Sequence, residues 1–171
     1  MVKSKHKHKR RIITIHVVIF AVLVALMCLL IFMFSAQNSG ESSMTSGRIT
    51  GLVLRIFFPR LSEQPYYIQY RVSDAVSTII RKGAHFSEYA ILAQLTFQLL
   101  LALPRPRKDS ICALCGFLFA AIYAATDEFH QSFVPGRAMM AKDVLIDSLG
   151  ALTGVIIAVI VTKKLKKKYG K

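Results

Sequence analysis

From Ile12 to Phe34 the chain runs 23 residues without a formal charge, and only Thr14, His16 and Cys28 interrupt the run with mild polarity. At 1.5 Å per residue a helix of that length measures roughly 35 Å, enough to cross the hydrocarbon of a bilayer. Inside hydrocarbon every backbone N–H and C=O must be satisfied within the protein, so such a segment is a helix. The basic stretch before it, Lys3 to Arg11, looks like the start of a secretory signal. The apolar run is too long for one, and cleavage after Ala36 would put the bulky Phe34 where a small residue is required. The segment therefore reads as an uncleaved anchor.

Three more apolar segments follow, Ala84–Leu103, Ile111–Gln131 and Val144–Thr162. Four spans place both termini on one side, and the basic residues then sort by side. The arm (1–11) has 6 Lys/Arg, the Pro104–Ser110 loop 3 and the tail (163–171) 6, against the single acid Asp109, so this side carries the whole formal +14 of the chain. The other side has 8 basic and 8 acidic residues and nets zero. By the positive-inside rule the N- and C-termini are cytoplasmic. A pI near 10.1 would otherwise invite nucleic-acid binding, but 54% hydrophobic residues and this sidedness assign the surplus to anionic lipid headgroups. His6 and His8 lie among lysines, which oppose a bound cation. Cys28, Cys112 and Cys115 all fall in or beside spans rather than in the outer loops, and the last two read as small buried packing residues, not a redox pair.

The outer loop 35–82 opens with a polar run, Ser35 to Ser43, that cannot build a core. Helical periodicity returns at Ile49, Leu52, Val53 and Ile56 up to Pro59, and again at Ile68, Val72, Val76 and Ile79. The spacing predicts two amphipathic helices lying on or dipping into the outer membrane surface. Pro104 and Pro106 keep the inner loop out of either flanking helix, so the second and third spans are antiparallel neighbours.

Ionisable groups in or at the mouth of spans are costly and point to function. Here they converge on the outer end. Arg81, His85, Glu88 and Thr96 share a face of the second span; Tyr123, Asp127, His130 and Gln131 form a stripe at the end of the third, with Glu128 at its edge; Asp143, Asp147, Gly150 and Gly154 share a face of the fourth. Pro135-Gly136 suits the centre of a type II turn that brings Arg137 close to the carboxylates. Such a cluster supports three readings: an ion-pair network pinning the helices, an anion site built on the arginines, or a catalytic site with His85 or a carboxylate as acid or base. No metal-ligand spacing and no serine-nucleophile motif accompanies it. A transporter is disfavoured, because the polar groups crowd one end rather than lining a path through the midplane.

The blocks Arg81-Lys82-Gly83-Ala84-His85-Phe86-Ser87-Glu88-Tyr89 and Thr126-Asp127-Glu128-Phe129-His130-Gln131-Ser132-Phe133-Val134-Pro135-Gly136-Arg137, followed by Asp143, Asp147 and Gly150, resemble the VanZ-like family of small bacterial membrane proteins. The likeness extends from the Ser35–Gln37 patch to about Gly154, and the D-E-x-x-Q-x-F-x-P-G-R block is its specific part. Members often carry Asn where this chain has Asp147, so a role needing a neutral amide there does not carry over. The family takes its name from a member associated with resistance to teicoplanin, a glycopeptide acting on cell-wall precursors outside the membrane. The resemblance therefore implies an envelope role at the outer leaflet.

The expected fold is all-α: an integral membrane bundle of four transmembrane helices (12–34, 84–103, 111–131, 144–162) with amphipathic helices in the loop 35–82. The candidate site comprises His85, Glu88, Asp127, Glu128, Gln131, Asp143 and Asp147, with Arg81 and Arg137 as anion-binding groups. The expected partners are membrane lipids and a cell-wall precursor or lipid-linked ligand at the outer leaflet, with no nucleic acid, metal or cofactor. The leading expectation is action on, or binding of, an envelope component, with a role in glycopeptide resistance. The alternative is a membrane-embedded hydrolase or transferase acting on a lipid-linked or phosphorylated substrate. Gly150-x-x-x-Gly154 suits a close helix–helix contact, within the bundle or between copies.

Overall fold

The computed structural model describes residues 2–105 and 107–169. Met1 of the basic arm, Pro106 of the short loop, and Gly170 and Lys171 of the tail lie outside the described residues, as do the side chains of the arm, His6 and His8 included. The chain forms α1 (Val2–Ser35), α2 (Ser39–Phe57), a single 3₁₀ turn (Leu61–Glu63), α3 (Tyr66–Ala102), α4 (Asp109–Gln131) and α5 (Ala141–Tyr169), with no strand among the described residues. Three segments are long and apolar enough to cross a membrane: Ile13–Ser35 of α1, and the whole of α4 and α5. Their outward Val, Leu and Ile side chains, such as Val18, Leu26, Ile122 and Leu145, stay half exposed or more, as they would facing lipid.

The helix ends gather at two poles. At the basic pole Ile13 and His16 of α1 share a cavity with Leu103 and Pro104 after α3, and Lys166 of α5 pairs with Asp109 of α4 at 2.8 Å. At the opposite pole Lys82 of α3 pairs with Asp143 of α5 at 2.7 Å, and Arg137 reaches the Ser35 carbonyl that ends α1. Helices α3 and α5 therefore run parallel, with α4 antiparallel to both.

Two expectations change. The second amphipathic helix and the second span are one helix, α3, because Arg81-Lys82-Gly83 continues it; Gly83 stands in open space and breaks nothing. The polar run after α1 also belongs largely to a helix. Asn38 caps α2 by accepting the Glu41 N–H at 2.9 Å, while the Glu41 carboxylate accepts the Asn38 N–H at 3.1 Å, a capping box. Helix α2 packs on α3 through buried Ser42, Ser46 and Thr50 and turns Ile49, Leu52 and Ile56 outward. Small polar residues on the packed side let the two helix backbones approach closely.

The core between α1, α3, α4 and α5 is made of Ile31, Tyr89, Leu92, Val155 and several alanines. Tyr123 ties α4 to α1 by donating its hydroxyl to the Cys28 carbonyl at 2.8 Å. Cys112 is buried as expected, but Cys115 is exposed on α4 rather than packed inside, because it falls on the outward face of that helix.

Glycines set the tightest contact, which lies within the bundle. A Cβ on Gly150 would strike the backbone carbonyl of Phe86, and one on Gly154 that of Ala90, so α5 lies directly on the backbone of α3. Gly116 of α4 is less constrained, its Cβ site being 3.0 Å from the Ala93 carbonyl. Gly154→Ala should therefore destabilise the purified protein by roughly 1–3 kcal/mol through overpacking. Gly83→Ala, in open space within α3, should be neutral or stabilise by up to ~1 kcal/mol. Thermal unfolding of the two variants in one detergent checks this, and equal midpoints would refute the close-contact account.

Candidate functional site

The parallel register of α3 and α5 lines up their charged residues at one pole. Lys82 meets Asp143, Phe86 meets Gly150 and Ala90 meets Gly154, so Asp147 falls beside the His85 turn. Helix α4 adds Asp127, Glu128 and Gln131, all buried. The α4–α5 connection then turns back over the site. Its Val134–Arg137 turn is closed by the Arg137 N–H donating to the Val134 carbonyl at 3.1 Å, with Gly136 at φ 77°. This is the left-handed position of a type II turn that the Pro-Gly pair predicts.

A cavity of about 180 Å³ lies between these elements, lined by Arg81, Lys82, His85, Glu128, Gln131, Arg137, Asp143 and Asp147, with Gly136, Ala138, Met140 and Ile146. Most of the sequence-derived candidates thus border one space. Glu88 lines a neighbouring cavity instead, and Asp127 is buried outside the lining, accepting from Gln131 Nε2 at 3.2 Å. Thr96 lies deeper in α3, its hydroxyl donating to the Leu92 carbonyl, and His130 packs against Phe32 of α1 in a tilted ring contact with centroids 4.8 Å apart. The Met140 backbone contributes although its side chain gave no signal in the sequence. Its N–H donates to Glu128 at 2.6 Å, placing a carboxylate at the start of α5, where the helix dipole favours it.

The charges are unevenly partnered. Asp143 holds Lys82, Glu128 holds the Met140 N–H and Asp127 holds Gln131. Glu88 stands 3.7 Å from His85 Nδ1, beyond hydrogen-bond length. Asp147 is only 4% exposed, and neither its Oδ1 nor His85 Nδ1 has a hydrogen-bond partner. Among the described residues neither Arg81 nor Arg137 forms an ion pair with a carboxylate. Arg137 has one long contact, donating from Nη1 to the Ser35 carbonyl at 3.5 Å. Burial lowers the Arg137 pKa and the Arg81 charge lowers it further, while Asp127 and Glu128 act the other way. An arginine keeps its proton regardless, so a half-buried cation faces a cavity with another cation beside it. A closed ion-pair knot would have engaged both guanidinium groups. Among the described residues no three His, Cys, Asp or Glu side chains are grouped to hold a metal ion.

An all-helical bundle with three helices of spanning length and charged side chains gathered at one pole is the architecture of a membrane protein. A family model described as VanZ/LLP1 matches residues 20–162, most of the chain and every residue of the cleft, and the chain belongs to that family. Comparison with curated proteins and with solved structures returned no match.

Two carboxylates of the cleft should respond oppositely to mutation. Glu128→Ala leaves the Met140 N–H without its acceptor and should cost roughly 1–3 kcal/mol of stability. Asp147→Asn exchanges a buried carboxyl group, whose Oδ1 has no partner among the described residues, for an amide of the same shape and should leave the unfolding midpoint unchanged or raise it. A loss for Asp147→Asn as large as that for Glu128→Ala would show that Asp147 is a structural group.

Proposed function

We propose that this chain is a four-span protein of the bacterial cytoplasmic membrane whose cleft, at the outer leaflet, binds an anionic component of the cell envelope and so affects susceptibility to glycopeptides such as teicoplanin. The observation carrying the reading is the pair of arginines that border a cavity without a carboxylate partner. Guanidinium groups bind phosphate and carboxylate oxygens in bidentate fashion, and a bound anion would supply the missing countercharge. The second half of α3, with Leu103 that follows it, would be the fourth span (84–103). It runs between the same two poles as the three apolar helices and measures roughly 30 Å. The arrangement of the basic residues at the pole away from the cleft supports cytoplasmic termini.

A reporter enzyme active only outside the cytoplasm should work when fused after Asn38 or Pro135 and be silent when fused after Lys171. Activity at Lys171 would overturn the orientation.

One observation favours chemistry in addition to binding. The free Oδ1 of Asp147 and the free Nδ1 of His85 are a carboxylate and an imidazole of the kind that serve as acid and base, here beside two cations. A hydrolase or transferase acting on a lipid-linked or phosphorylated envelope substrate is the second reading. Deletion of the gene should raise teicoplanin susceptibility, and the wild type but not Arg137→Ala, at equal abundance, should restore resistance. Asp147→Asn decides between the readings: a binder keeps its function, whereas an enzyme loses turnover while still binding inorganic phosphate. An unchanged phenotype on deletion, in a strain shown to make the protein, would end the resistance reading.

A further inference from the structure

A second cavity, of about 260 Å³, lies on the other side of Arg81, His85 and Arg137, between the end of α1, the first half of α2 and the middle of α3. Its walls are mostly apolar and include Phe34, Ile49, Ile80 and Ala84, with Gln37 and Glu88 at the polar edge. Ser42 and Ser46 also border it, yet the Ser46 hydroxyl donates to the Ser42 carbonyl at 2.9 Å and lies 3.3 Å from the Ser77 hydroxyl, so it is engaged within the protein. Phe34 and Ile49 line the cavity and are also about half exposed, which opens it toward the surface where α2 presents its apolar residues. The two spaces therefore share Arg81, His85 and Arg137 as a common wall, with a charged chamber on one side and a largely apolar one on the other.

We propose that the ligand is a phosphate-headed lipid, its head in the charged cleft against Arg81 and Arg137 and the first methylenes of its chain in the α1–α2–α3 chamber. This rests on the anion-binding reading of the cleft and narrows it. A free peptide carboxylate would use the arginines and leave the apolar chamber empty. A lipid with a cationic or uncharged head would fill the chamber and leave both arginines without a counterion. A phosphomonoester carries up to two negative charges, matching the two unpaired guanidinium groups, and its ester oxygen leads directly into a chain. The two faces of helix α2 fit this occupant. Its small hydroxylated face packs on α3 and forms one wall of the chamber, while its apolar face borders the bilayer from which the chain enters.

Short alkyl phosphates, which stay monomeric in water, separate head from chain. The full-length protein in nanodiscs of zwitterionic lipid would be titrated with ethyl, butyl and hexyl phosphate and with hexanol, following heat of binding. Affinity should rise at least tenfold from ethyl to hexyl phosphate as methylenes leave water, and hexanol should bind at least tenfold more weakly than hexyl phosphate. Ala84→Phe, which fills the chamber from α3, should cut the hexyl-to-ethyl ratio below threefold; Ser46→Leu fills it from α2 and serves if the first variant does not fold. Arg137→Ala should weaken all three phosphates by a similar factor. Equal affinities for ethyl and hexyl phosphate, with binding still lost in Arg137→Ala, would overturn the chain chamber and leave the anion cleft standing. Failure of every phosphate to bind would overturn both. Hexanol binding as tightly as hexyl phosphate would overturn the assignment of the head.

Discussion

The contact between α3 and α5 rests on two glycines, and the position of the charged groups that these two helices bring to the cleft depends on it. Gly150 and Gly154 lie on the backbone at Phe86 and Ala90, one turn apart on both helices, so the two helices are locked in parallel register. Continuing that register toward the start of α5 sets Asp147 at the turn of His85 and Asp143 against Lys82. A side chain at either glycine would push the helices apart, and the carboxylates of α5 would move away from the cations of α3. In hydrocarbon, where apolar side chains gain little by leaving lipid, such backbone proximity is the main source of helix association. The cleft and the packing that holds it thus share one cause.

Much of this was legible in the sequence, and the exceptions have physical reasons. The three most apolar spans, the small-residue stripe and the Pro135-Gly136 turn each rest on a local rule, and the structure follows each one. The continuity of α3 was not legible, because Arg81-Lys82-Gly83 has the composition of a boundary; in the bundle Arg81 and Lys82 border the cleft and Gly83 faces open space. Helix α2 was expected to begin later, where its apolar periodicity starts. Its start was marked by Asn38-Ser39-Gly40-Glu41, a capping-box pattern inside what reads as a polar linker. Its sidedness agrees with its amphipathic pattern: Ile49, Leu52 and Ile56 turn outward, while Ser42, Ser46 and Thr50 are buried.

The candidate site was legible as a list of residues but not as a distribution of partners. The sequence offers acids and bases in equal numbers on this side of the chain, which is compatible with a closed network of ion pairs. In the fold three of the five carboxylates hold a lysine, a backbone N–H or an amide, and among the described residues none of the five pairs with an arginine. No count of residue types reveals that, because Glu128 is engaged by the backbone of Met140 and Asp127 by a glutamine one turn away on its own helix.

The unequal pairing also explains why balance at this pole differs in kind from the basic surplus at the other. Exposed lysines in the tail are solvated, so the charge of each costs little. Arg137 is half buried, held by a rigid turn, and next to a second cation. Packing for stability alone would favour an apolar residue there, or a carboxylate within reach. The chain has neither, although Glu128 and Asp127 lie close enough to influence Arg137. A fold that keeps a half-buried arginine beside a cavity, next to a second cation and with no carboxylate in contact, retains an electrostatic cost, which is lowered when an anion enters.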